Sequence, residues 1–283
     1  MLIIYIAGGL GDQMSRYALG KYFATKQQIE LLLDTSFYGS KHNYSESDTR
    51  VFALHHFQIT APIATNKQIK KLTTNRYLRR LGLIKSSHII NKADLDNLNR
   101  AQDYYLELSN LDRALLAEIS SVLARDFSLK NNSVLHPDLQ EWLATPCVAL
   151  HCRRGDKANN PKVRALHGVC SVDYYQRAMA ELEKRLGTFN LLVFSDDPAW
   201  VKANLHFSCP VKFAADYYQA GHEYEELILM SQCHHQIISN SSFSWWAAWL
   251  NANPDKLVIA PTIFMKEADV GSKGDVPGDW IRL

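Results

Sequence analysis

The sequence predicts an α/β protein built on mostly parallel sheets. Two observations carry that expectation. Short apolar runs alternate with helical stretches along most of the chain. In the second half, the polar clusters Arg153–Asp156, Ser195–Asp197 and Asn240–Ser242 each follow an apolar run that reads as a strand. Ligands of open parallel sheets bind beyond the carboxyl ends of the strands. Polar loops from three separate strands on one edge therefore point to a single site.

The elements follow in order. Leu2–Ile6 reads as a strand, followed by a glycine-rich turn and a helix over Gln13–Thr25. Ile29–Leu33 reads as a second strand. Residues 37–64 mix polar and aromatic side chains without a period. Asn66–Leu81, Lys92–Asn99 and Leu111–Leu123 have helical patterning. The Asn131-Asn132 break and the segment to Pro146 mark a seam, which gives expected domains of residues 1–145 and 146–283. Cys147–Cys152 is an apolar run of the kind buried in parallel sheets. Helix Val172–Leu186, strand Leu191–Phe194, helix Pro198–Asn204 and strand Val211–Ala214 follow. Pro198 suits a first helical turn. Helix Tyr224–Cys233, strand His235–Ser239, helix Phe243–Leu250 and strand Leu257–Ala260 complete the reading.

Composition narrows the classes of function. A chain of 283 residues supports one large domain or two ordinary ones, and 47% hydrophobic with 21% charged residues is ordinary for a folded soluble protein. A net charge of +2 argues against bulk nucleic-acid binding. The five cysteines are irregularly spaced and form no CxxC, which speaks against a zinc site or a disulfide framework and for a reducing compartment. The apolar start Met1–Ala7 is short, lacks a basic flank and runs into Gly8-Gly9, so it reads as a buried strand and not a signal peptide. The expected location is the cytoplasm. Lys70, Lys71, Arg76, Arg79, Arg80 and Lys85, with Leu72, Tyr77, Leu78 and Leu81 between them, suit either a solvated helix face or peripheral contact with anionic lipid.

Each polar cluster has a chemistry. Arg153 and Arg154 leave a strand side by side and point to opposite sides of an extended chain. One can reach a ligand while the other pairs internally, with Asp156 as a partner. An arginine fork suits a diphosphate through bidentate, charge-assisted bonds. Asn240-Ser241-Ser242 ends a strand and opens a helix. Ser241 or Ser242 is a natural N-cap, and the helix start, through Phe243 and Ser244, offers N–H groups to a phosphate. Ser195, Asp196 and Asp197 could ligate magnesium or manganese, or accept from a guanine edge; Asp197 before Pro198 is equally an N-cap. Asp94-Leu95-Asp96 is a DxD string in a helical segment with no strand before it, a poor setting for a metal.

Gly8-Gly9-Leu10-Gly11-Asp12-Gln13 follows a strand and opens a helix. With Asp34 at the end of the next strand it resembles half of a dinucleotide fingerprint, and a nicotinamide-dependent oxidoreductase is the rival reading. Met14 stands where the third glycine belongs. Those glycines would still let the backbone approach a diphosphate or sugar. A non-catalytic nucleotide- or glycan-binding module is the third reading.

Together, Gly8–Met14 with Tyr17-Ala18, His151–Asp156, Phe194–Asp197, Leu229-Met230-Ser231 through Ile238–Asn251, and Val276–Ile281 resemble the α-1,2-fucosyltransferase family, glycosyltransferase family 11, in its short bacterial form. Asp12 stands where that family usually has Asn, Ser15 where it has Phe, and Lys157 where it has Tyr. Residues 37–130 match loosely. The resemblance implies a GT-B-like fold, two Rossmann-like domains with a cleft between them, the first on the acceptor side. It implies inverting transfer of L-fucose from GDP-β-L-fucose to the 2-hydroxyl of a galactoside in O-antigen synthesis, with no metal and no cofactor beyond the donor. By the same resemblance Arg153 holds the donor phosphates; from the residues themselves, Arg154 and Asp156 read as its scaffold. His151 and Asp196 or Asp197 lie near guanine, and Asn240, Ser241, Ser242, Phe243, Ser244, Gly9, Gly11 and Gln13 line the donor. Asp156, His167 and Asp12 are candidates for the base.

Overall fold

Leu2–Tyr5 (β1) and the first three residues of Leu31–Asp34 (β2) are apolar on both faces. Only strands covered on both sides tolerate that pattern, and in the computed structural model the two pair in parallel, Leu2 beside Leu31. The structure describes residues 1–40, 50–73, 89–90, 101–107, 113–131, 136–155, 158, 160–161, 164–165, 168–219, 221–263 and 276–283. The chain forms two compact units, Met1–Lys130 and Asn131–Leu283. The division falls at the Asn131-Asn132 break, earlier than the expected boundary after residue 145, because the helix before Pro146 belongs to the second unit.

The first unit holds a four-stranded parallel sheet, β2-β1-β4-β3, with β3 at Ile89–Ile90 and β4 at Tyr104–Leu106. Helix α1 (Leu10–Gln27) lies on one face. It approaches closely at Gly20, where a Cβ would sit 3.0 Å from both Ile4 and Leu31 side-chain atoms. On the other face Ile3, Leu32 and Tyr105 pack with Ala64 and with Leu72 of α2 (Asn66–Thr73). Tyr17 of α1 donates to the buried Asp126 carboxylate at 2.6 Å, which ties α1 to α3 (Ser120–Asp126). The stretch expected to be helical from Leu111 opens as a 3-10 segment, Arg113–Ile119. β4 has no counterpart in the sequence reading. It is three residues long, too short for a period to register. The Asp94–Asp96 string, the Lys92–Asn99 helix and most of the basic stretch beyond Thr73 lie outside the described residues.

The second unit is a six-stranded parallel sheet in the order β10-β9-β8-β5-β6-β7. Its strands are β5 (Cys147–Cys152), β6 (Asn190–Ser195), β7 (Val211–Phe213), β8 (His235–Ile237), β9 (Val258–Ala260) and β10 (Ile281–Arg282). From β5 the chain winds outward through β6 and β7. It then returns to the opposite side of β5 and continues through β8, β9 and β10. This is the doubly wound nucleotide-binding order, with its switch point between β5 and β8.

Helix α4 (Pro137–Leu143) precedes β5. Helix α5 (Val172–Leu186) buries Tyr174, Tyr175, Ala178, Met179 and Leu182, a helical period of one face. Ser171 caps it, accepting from Tyr174 N at 3.1 Å. Pro198–Asn204 (α6), Glu223–Gln232 (α7) and Ser242–Leu250 (α8) follow. No helix among the described residues is long and apolar enough to cross a membrane.

Overpacking a tight helix–sheet contact costs about 1–3 kcal/mol. Gly20→Val is therefore expected to lose stability on that scale in urea titration, since its side chain must displace Ile4 and Leu31 together.

Candidate active site

The carboxyl ends of β5 and β8 meet at the switch point, and their side chains are joined there. His151, 6% exposed, places its Nδ1 at 2.9 Å from Ser239 Oγ. Its ring lies 5.4 Å from that of Phe243 in the first turn of α8. Helix α5 holds both strand ends from below. Tyr175 donates to the His151 carbonyl at 3.2 Å, and Tyr174 donates to the Ile238 carbonyl at 2.6 Å. Asn240 is buried and donates to the Gly168 carbonyl at 3.3 Å.

Beyond His151 the two arginines part, as an extended chain requires. Arg153 Nη1 meets Asp196 Oδ2 at 2.9 Å. The other oxygen of Asp196 accepts from Arg154 N at 2.8 Å. The guanidinium of Arg154 lies 3.7 Å over the Trp200 ring, and its Nε is 3.6 Å from Asp197 Oδ2. Ser195 donates through Oγ to the Cys152 carbonyl at 2.8 Å and accepts from Asp197 N at 3.0 Å. Asp197 caps α6 by accepting from Trp200 N at 3.1 Å. A Cβ on Gly155 would collide with Asp196 Oδ2.

Asp196 and Asp197, which the resemblance places near guanine, contact the arginines, and Asp197 is also the α6 cap that its place before Pro198 suggests. Arg153 meets Asp196 from the loop after β6, and Arg154 meets the Trp200 ring and Asp197. Asp156 and His167 lie outside the described residues. Trp200 carried no signal in the sequence, because nothing in its spacing links it to Arg154 at the end of the neighbouring strand.

Ser241 stands at the N-cap of helix α8, and its side chain makes no capping bond to the helix. Its first turn contains no acidic residue. At the other end Lys256 Nζ donates to the carbonyls of Ala248 and Asn251, each at 2.8 Å. Lys256 complements the carbonyl end of the helix dipole, and a start without acidic residues suits an anion at the N-terminus. Ser244 is fully buried, with Oγ 3.4 Å from the Ser241 carbonyl. Trp245 and Trp246 are fully buried and pack on Trp249 and Trp280, so they serve the core.

The glycine loop of the first unit also sits at a carboxyl edge. Gly8 takes φ +85°, a region that favours glycine, and the Asp12 carboxylate lies where its Cβ would be. Gly9 caps α1 without a side chain, and Gly11 is buried in its first turn. Arg50 stands beside Gly9, and Tyr38 donates to the Gly8 carbonyl at 3.1 Å. Gln13, expected on a ligand, is 1% exposed. Its amide donates to the carbonyls of Gly8 (3.2 Å) and Val51 (2.8 Å) and accepts from Ala53 N at 2.9 Å. It braces the loop. Asp34, the acid a ribose would need in the nicotinamide reading, is 1% exposed and accepts from Tyr105 OH at 2.6 Å and Ser36 N at 2.8 Å. Its carboxylate is committed inside the sheet.

The five cysteines are all free thiols, and no cluster of three His, Cys, Asp or Glu suited to a metal occurs among the described residues.

The family model for glycosyl transferase family 11 matches residues 20–276. The chain belongs to glycosyl transferase family 11. Two Escherichia coli relatives span nearly all of it. It is 30% identical to the O-antigen biosynthesis glycosyltransferase WbnK, over 90% of this chain and 92% of WbnK. It is 26% identical to an alpha-1,2-colitosyltransferase, over 100% of this chain and 99% of that protein. POFUT1 in complex with GDP has a similar fold, with a TM-score of 0.52 at 11% identity, covering 92% of this chain and 98% of POFUT1. The family 11 enzyme is thus a glycosyltransferase of GT-B-like α/β fold.

Among its acids, Glu226 in the first turn of α7 stands out. Burial, and then the neighbouring Glu223, push its carboxyl up to about 7, while His222 opposes them. A carboxyl raised in the folded state favours the protonated form. Its stabilising contribution is present below the unfolded value near 4.5 and is lost as pH rises through about 7. Glu226→Gln should therefore gain in melting midpoint over the wild type as pH is raised from about 5 to about 8, measured by calorimetry.

Proposed function

We propose that the enzyme transfers L-fucose from GDP-β-L-fucose to the 2-hydroxyl of a galactoside, with inversion at the anomeric carbon, in the assembly of a surface polysaccharide such as O-antigen. One observation carries the donor side of this reading. Arg153 and the acid-free start of α8 flank the same β5/β8 switch point and are linked through His151, Ser239 and Phe243. An arginine fork and a helix N-terminus are both suited to a diphosphate. The family and its fold support a nucleotide-sugar donor, and the name of WbnK supports an O-antigen setting. A colitosyl donor is the second reading, favoured by the full-length match to the colitosyltransferase.

The mechanism follows from charge. As the sugar leaves with oxocarbenium character, negative charge grows on the diphosphate. Arg153 and the N–H groups at the start of α8 stabilise that growing charge more than the ground state. A preorganised donor of this kind contributes about 3 kcal/mol to the barrier. A base takes the proton of the attacking hydroxyl, and Asp12, Asp156 and His167 are its candidates. The acceptor is either a free or a lipid-linked galactoside.

Two experiments test the reading. In a thermal-shift series GDP should raise the melting midpoint without added magnesium and NAD should leave it unchanged; a shift with NAD alone would return the protein to the oxidoreductase class. Incubation with GDP-fucose and a galactoside array, followed by linkage analysis, should yield a 2-linked α-fucoside. In the same assays Arg153→Ala should weaken GDP binding and cut transfer by roughly a hundredfold or more. Wild-type binding by this variant would remove Arg153 from the donor site.

A further inference from the structure

We infer that Asp196 is a positioning residue that acts on the donor diphosphate through Arg153 and is not itself a nucleotide ligand; this rests on the reading of Arg153 as a diphosphate ligand. Both oxygens of the carboxylate are engaged. Its Oδ2 pairs with Arg153 Nη1 at 2.9 Å and its Oδ1 accepts from Arg154 N at 2.8 Å. The residue before it, Ser195, is fastened to the carbonyl of Cys152 at 2.8 Å, and the residue after it, Asp197, is fixed as the cap of α6 at 3.1 Å. The backbone carrying Asp196 therefore cannot swing without breaking the join between β5 and β6 or the start of α6. Gly155 completes the clamp, since any Cβ there would occupy the space of Oδ2.

The purpose of such a clamp is orientation. An arginine side chain has many rotamers, and ordering it at the moment of binding costs affinity. A carboxylate fixed at hydrogen-bond distance pre-aims the guanidinium and lowers that cost. Because one oxygen of Asp196 must accept from Arg154 N, the geometry also decides what an amide would do. In Asp196→Asn the amide oxygen stays on Arg154 N, and the NH₂ turns toward Arg153. Donor then faces donor, and the pair with Arg153 is lost while the turn is kept.

The test is a mutant cycle on the whole enzyme: wild type, Asp196→Asn, Arg153→Ala and the double variant. GDP affinity is measured by calorimetry, and kcat and KM with GDP-fucose. Asp196→Asn is expected to lower GDP affinity and kcat/KM by about ten- to hundredfold, the scale of a charge-assisted hydrogen bond. Part of the loss should appear in kcat, because the diphosphate charge grows during the reaction. In the Arg153→Ala background the same change should cost less than about twofold, since the residue it acts through is gone. An equal cost in both backgrounds, or GDP affinity for Asp196→Asn within about twofold of wild type, overturns the inference. Wild-type GDP binding by Arg153→Ala overturns the donor-site reading instead. Gly155→Ala, which pushes on the same carboxylate from the other side, is the second variant if Asp196→Asn does not fold. Its effect too must vanish without Arg153, and persistence there counts against the inference.

Discussion

The adjacency of β5 and β8 is the constraint on which the site depends. The chain leaves β5, runs outward through β6 and β7, and must come back across β5 to begin β8. That return opens the sheet edge at one place, and it brings together residues some 88 positions apart, His151 and Ser239. The tyrosines of α5 bind the carbonyls at both strand ends. Consequently the strand end that carries Arg153 and the start of α8 are anchored by the same small group of buried hydrogen bonds. A site assembled in this way is ordered before any ligand arrives, which is what electrostatic catalysis requires.

The charges around this point are arranged so that acids serve arginines. Asp196 and Asp197 lie in the loop after β6, close to where a diphosphate would meet Arg153. Free carboxylates there would repel it. The structure spends one on the Arg153 pair and the Arg154 backbone, and the other on the α6 cap and the neighbourhood of Arg154. Trp200 takes the face of the Arg154 guanidinium. At the α8 terminus the same economy holds. The N-cap side chain leaves the helix start alone, and Lys256 satisfies the far end.

The first unit solves a related problem with different parts. Its glycine loop follows β1 and opens α1, as in a dinucleotide-binding protein, but the surrounding polar groups are used for bracing. Gln13 stitches Gly8 to Val51 and Ala53, Tyr38 holds the Gly8 carbonyl, and Asp34 is locked by Tyr105 and Ser36. A loop held this tightly presents backbone and not a ribose-binding acid. Tyr105 belongs to β4, the strand with no visible signature in the sequence, so the fate of Asp34 could not be read without it.

Much was legible in the residue order alone. Strand β5 and helix α6 fall where their patterns indicate, because an apolar run between polar breaks and a proline at a first turn are local signals. The three polar clusters at strand ends were visible for the same reason, as was the family their motifs resemble. Local order could not say which acid faces which base. That Asp196 clamps Arg153, that Trp200 supports Arg154 and that Gln13 is buried depend on contacts between loops of different strands, and only the crossover of the sheet brings those loops together. The sequence by itself determined the parallel α/β class and the chemistry available at its carboxyl edge. The tertiary structure decided how that chemistry is divided, because hydrogen-bond partners are chosen by distance in space and not by distance along the chain.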